Sequence, residues 1–176
     1  MFVKRATVLW VPLGRMRRFR DNWERNPRMQ QADSRTKPWT IGFAVLAAVG
    51  FALSIAAHVA SFQGNQGPLG RYTWTLHMGA LFICIPAALA ARRLLRGVPR
   101  KEQWKALLRG CPAWTKYVLY GLVAYALVNF GIFLMSPGKG GAGLMPPAAV
   151  RGFSGHWMAI YAMAFAVLYS GAKEDG

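Results

Sequence analysis

The fold class this sequence predicts is all-α and integral to a membrane: four transmembrane helices in an antiparallel bundle. Three observations carry that expectation. Hydrophobic residues make up 54% of the 176, yet the formal net charge is +16, a pairing that soluble chains rarely show. The charges are confined to short segments separated by long, nearly uncharged runs. Four of those runs approach the roughly 20 residues that a helix rising 1.5 Å per residue needs to cross about 30 Å of hydrocarbon.

The first run is Thr40–Phe62, the second Tyr72 to about Ala91, the third Thr115–Ser136 and the fourth Phe153–Gly171. Buried helices of a soluble domain would also be apolar, but four such runs in so short a chain leave too little polar sequence to cover them. The expected organisation is a basic N-terminal segment (residues 1–38), a transmembrane domain (39–172) and a short tail (173–176). Val3–Leu13 is too short and broken for a secretory signal, and no small-residue cleavage site comes after it. Met16 offers a second candidate start, because residues 1–15 read as unrelated to the rest of the chain.

Orientation follows from the basic residues. Ten Lys/Arg precede Trp39, eight lie between Arg92 and Lys116, and Lys173 is in the tail; only Arg71, Lys139 and Arg151 fall in the other two loops. Positively charged loops stay cytoplasmic, so both ends and the middle loop are expected inside, in the plasma (inner) membrane of a bacterium. Trp39, Trp114, Tyr117 and Tyr169 would then mark the inner interface, and Tyr72, Trp74, Phe153 and Trp157 the outer one, since rings with one wet edge prefer those depths. Arg100–Arg109 places Trp104, Leu107 and Leu108 on one helical face and its cations elsewhere, the pattern of a short helix lying in the inner interface.

Several function classes are disfavoured. No Asp or Glu lies in a spanning run or an outer loop, which argues against proton relays, cation-coupled transport and paired-carboxylate catalysis. Ser136–Gly143 (SPGKGGAG) lacks the order of a phosphate-binding loop and reads as a flexible connection. The basic segments suit anionic lipid head groups rather than nucleic acid. Cys84 and Cys111 fall at different depths, so neither a disulfide nor a zinc site is expected. Pro86 removes a backbone donor inside the second run, which predicts a kink.

The histidines are the candidate site. His58 lies four residues before the outer end of the first helix and His77 five after the outer start of the second, so their depths match within a few ångström. His156 opens the fourth helix on the same side. Ser54 and Ser61 share the face of His58, and Asn129 is at similar depth. Two facing imidazoles can ligate haem b; His77, His156 and the adjacent Met78 or Met158 supply a donor set for copper; a quinone is a further candidate ligand; and interhelical hydrogen bonding is the purely structural use. The expected function is therefore an accessory or scaffold membrane subunit that binds other subunits or anionic lipids. The alternative is an electron-transfer or metal-handling module built on His58, His77, Met78 and His156.

Overall fold

The computed structural model describes residues 37–63, 72–135 and 146–174. The basic segment before Lys37, Arg71 and the SPGKGGAG run lie outside them. The described residues are helical without a strand: α1 (Lys37–Phe62), α2 (Thr73–Leu94), a 3₁₀ turn (Arg100–Glu102), α3 (Gln103–Leu107), α4 (Thr115–Met135) and α5 (Pro147–Glu174).

α1, α2 and α4 are long and apolar enough to cross a membrane. Ile41, Val45, Val49, Leu81, Ile85, Leu127, Val128 and Ile132 stand exposed along their outer sides, where hydrocarbon rather than water would meet them. α5 is the longest helix at 28 residues but is not one of these three apolar segments. It packs against each of them, so its surroundings are protein, and its composition reflects this. Gly155 brings α5 so near α4 that a Cβ there would sit 3.0 Å from the Ala126 backbone. Ser154, Trp157, Tyr161, Leu168 and Ser170 are buried. Close helix approach through small residues, with hydroxyls and ring N–H groups bonding across, is the usual packing currency where apolar transfer between helices gains nothing.

The helices alternate in direction. Ser154, near the start of α5, meets His58, near the end of α1, whereas Gly171, near the end of α5, lies beside Thr40 of α1 and Ala90 of α2. Gly152 faces Phe133 at the far end of α4. Tyr161 is the central wedge: its ring fills the space over Gly50 and Gly79, and its hydroxyl donates to the Leu76 carbonyl at 3.0 Å.

The ends of the elements have local causes. Pro147 opens α5, where its missing N–H costs nothing, and the Val150 N–H closes the first turn onto the Pro146 carbonyl at 3.0 Å. The fourth helix therefore starts six residues before the expected Phe153 and takes in Arg151, expected in a loop. Gly97 adopts φ +75° just past α2, the left-handed turn that ends a helix and that glycine takes without strain. Pro86 lies buried within α2. The expected helix at Arg100–Arg109 forms as the 3₁₀ turn plus α3. Ala106 and Leu108 are buried there, while Trp104 stays partly exposed with its ring edge-on to Tyr120 at 5.5 Å. Cys84 and Cys111 are both free thiols.

Candidate functional site

Three polar or concave features sit within the bundle. The first is a directed chain of hydrogen bonds linking α4, α1 and α5. The Ser154 hydroxyl donates to the Arg151 carbonyl at 3.2 Å, so its oxygen is left to accept from His58 Nδ1 at 2.6 Å. In a neutral imidazole the other nitrogen is then the acceptor, and the Tyr125 hydroxyl donates to His58 Nε2. His58 is buried, and both ring nitrogens are committed to protein hydroxyls. The Arg151 guanidinium continues the tie: it donates to the Ser61 carbonyl at 3.0 Å and lies 4.4 Å from the Phe62 ring centroid.

The serines and asparagine expected to share a polar cluster with His58 bond mostly within their own helices. Ser54 donates to the Gly50 carbonyl at 2.7 Å, Ser61 to the His58 carbonyl at 2.6 Å, and Asn129 to the Tyr125 carbonyl at 2.9 Å. Such back-bonding satisfies a polar group at depth without a partner helix.

The second feature is a groove of about 210 Å³ between α2, α4 and α5. Its walls include His77 and Ala80 of α2, Phe130 of α4, and Phe153, His156 and Trp157 of α5. Trp157 Nε1 donates to His77 Nδ1 at 3.0 Å. His156 Nδ1 lies 3.3 Å from the Gly152 carbonyl. His156 is edge-on to Phe130 at 4.9 Å, and His77 is edge-on to Phe153 at 5.9 Å.

The structure thus brings His77 and His156 together and turns His58 to other partners. The His58–His77 pair expected from matched depth does not face across one site. Depth along two helices is set by residue count, but facing is set by helix rotation, which residue count does not report. Met78 is exposed on the outer side of α2, and Met158 is buried away from the groove walls. Among the described residues no three His, Cys, Asp or Glu side chains are placed to hold one metal ion. The groove is also smaller than the roughly 300–1,000 Å³ of sites for drug-sized ligands, so a single ring fits it better than a porphyrin.

The third feature is an apolar groove of about 500 Å³ between α1, α4 and α5, toward the end that carries the α2–α4 connection. Phe51, Trp114, Val118, Phe165 and Tyr169 line it. Lys116 lies 4.7 Å from the Tyr117 ring centroid and Lys173 lies 4.9 Å from that of Tyr169, which places two cations near this end. The residues that sequence reasoning missed are Tyr125, Arg151 and Ser154. The signal for Arg151 was present in Pro146–Pro147, which marks a helix start upstream of it.

Three long apolar helices packed around a fourth are the make-up of a multi-pass membrane protein. No family model matches the chain, and no curated protein or solved structure matches it either.

Proposed function

We propose that this chain is a four-span subunit of the bacterial inner membrane, with both ends cytoplasmic, that binds anionic lipid and neighbouring membrane proteins and performs no chemistry of its own. In this reading α5 is the fourth span of the 39–172 domain; at 28 residues it extends about 42 Å. Residues 1–38 and 173–176 flank that domain in the cytoplasm, and α3 lies in the inner interface.

The observation that carries the reading is the single connection between α2 and α4. Eight cations fall between Arg92 and Lys116, beside the exposed rings of Trp104, Trp114 and Tyr117. Aromatic rings and cations at one end of an apolar bundle match the chemistry of an anionic head-group layer. The commitment of both His58 nitrogens to hydroxyls supports a structural use of that residue over ligation of haem or copper.

Two measurements test this. Anionic phospholipid added to the purified protein in neutral detergent should raise its melting temperature more than zwitterionic phospholipid does. The double variant Lys101→Gln, Lys105→Gln should lose about 1 kcal/mol of that lipid affinity per charge. Equal responses to both lipids would refute the anionic-lipid reading. The absorption spectrum of the purified protein should show no Soret band; a Soret band lost in His58→Ala would establish the haem reading instead.

A further inference from the structure

α1 and α4 both pack on α5 but hardly on each other. The Tyr125–His58 bond ties them toward one end. Toward the other end, which carries the α2–α4 connection, the gap between them is the apolar groove of about 500 Å³. Ala166 and Tyr169 of α5 form its floor, Ala48 and Phe51 of α1 one wall, and Val118 and Leu122 of α4 the other. Trp114 also lines it, so the groove follows α4 from Trp114 to Leu122, about 12 Å along the helix axis. Tyr125 comes within one turn after Leu122, so the groove ends about where α1 and α4 are tied.

The opposite end opens among cations. Lys173 Nζ lies 4.9 Å from the ring centroid of Tyr169, a residue of the groove floor. Its aliphatic stem is held against the connection, since a Cβ on Gly110 would sit 3.3 Å from Lys173 Cδ. The Gly110 N–H donates to Ser170 Oγ at 3.3 Å, which seats the connection on α5 beside that stem. Lys116 adjoins Thr115, a further wall residue. The connection carries eight cations against one acid, Glu102, so the surplus at this end is positive although Glu174 and Asp175 follow Lys173.

We infer that this groove holds one acyl chain of an anionic phospholipid, with the lipid phosphate at the Lys173 end. The inference rests on the reading that anionic lipid binds this end of the bundle, and it gives that lipid a place. Val118 and Phe165 line the groove and are themselves exposed, so a chain can enter sideways from the apolar surroundings. A length of helix about 12 Å long and 10 Å across would occupy roughly 900 Å³, more than the groove holds, whereas a single methylene chain is slim enough to lie along it. The groove runs along the bundle axis, the direction of an acyl chain in a leaflet. Its apolar walls take the chain, and the cations at its mouth distinguish an anionic from a zwitterionic head group.

The test is native mass spectrometry of the full chain in neutral detergent, titrated with phosphatidylglycerol or with phosphatidylcholine of the same acyl chains. One phosphatidylglycerol should bind saturably, at least about fivefold tighter than phosphatidylcholine, the size of one cation's attraction to an anionic head group. Lys173→Gln should weaken phosphatidylglycerol by about that factor and phosphatidylcholine much less. Ala48→Trp and Val118→Trp fill the groove from opposite walls at exposed positions, and each should abolish the saturable site. Val128→Trp, exposed and off the groove, should leave it intact. Glycerol 3-phosphate, a head group without chains, should not compete. If the unmodified chain prefers phosphatidylglycerol and both groove-filling variants keep that preference, the groove assignment is overturned while anionic-lipid binding elsewhere on the connection stands. If both lipids bind equally to the unmodified chain, the anionic-lipid reading falls and this inference with it. Competition by glycerol 3-phosphate would overturn the role of the acyl chain.

Discussion

At the scale of single residues, the polar atoms at depth show what a membrane interior demands. An unpaired donor or acceptor there costs several kcal/mol, and each histidine nitrogen that meets protein does so with a defined role. The chain from Tyr125 through His58 to Ser154 and the Arg151 carbonyl uses every hydrogen once. Tyr125→Phe removes one link and should cost about 0.6 kcal/mol, the average for interhelical bonds in bilayers. His58→Ala should cost about 2 kcal/mol or more, because it breaks both links and leaves a cavity between three helices. Unfolding in mixed detergent micelles would measure both, and equal losses would show that His58 does not join the three helices. Gly50 makes the complementary case. A Cβ there would overlap the Tyr161 ring, so Gly50→Ala should destabilise by about 1–3 kcal/mol through overpacking. Gly42, whose Cβ would meet open space, should tolerate alanine. A similar melting temperature for the two variants would remove Tyr161 from its role as the wedge.

At the scale of elements, the sequence was informative in proportion to how local the cause was. α4 spans Thr115–Met135 against an expected Thr115–Ser136, since an apolar run with a polar flank at each end needs no tertiary information. α5 begins earlier than expected because Arg151 has the character of a loop charge in the linear pattern, whereas its guanidinium is accommodated by the Ser61 carbonyl and the Phe62 ring. The guanidinium has these two contacts although its Nε is buried without a hydrogen-bond partner among the described residues, and partners from another helix are invisible along the chain. α3 is the element whose position relative to the membrane is open to direct test. If it lies in the inner interface, Trp104 emission should be blue-shifted in vesicles relative to a water-exposed indole, and shallow brominated lipids should quench it. The measurement needs a background in which the other tryptophans are phenylalanine. Emission at the position of free tryptophan would place α3 in water.

At the scale of the whole molecule, the arrangement of one central helix among three has consequences for orientation and for stability. The charge asymmetry predicts which end faces the cytoplasm. In a variant with Cys84 and Cys111 replaced by alanine, Lys101→Cys should react with an impermeant maleimide only after the membrane is opened, whereas Gly67→Cys should react in intact cells. The reverse pattern would invert the topology. Because α5 contacts all three of the other long helices, destabilising changes along it should lower the melting temperature of the entire bundle in one transition, while changes on the exposed sides of α1, α2 or α4 should be nearly neutral.

Helicity, the number of long apolar segments near α1, α2 and α4, and the cationic connection were legible in the residues alone, because length, hydropathy and charge are additive along a chain. The histidines were legible as candidates for the same reason: an imidazole at membrane depth is a departure from composition that needs no fold to notice. Which histidines share a site was not legible. His58 and His77 match in depth, yet rotation of α1 turns His58 toward Tyr125 and Ser154, and rotation of α5 turns His156 onto the groove with His77. Helix rotation is decided by how Gly50, Gly79, Gly152 and Gly155 let Tyr161, Phe133 and Ala126 approach. That is a property of pairs of surfaces, and it exists only once the helices are packed.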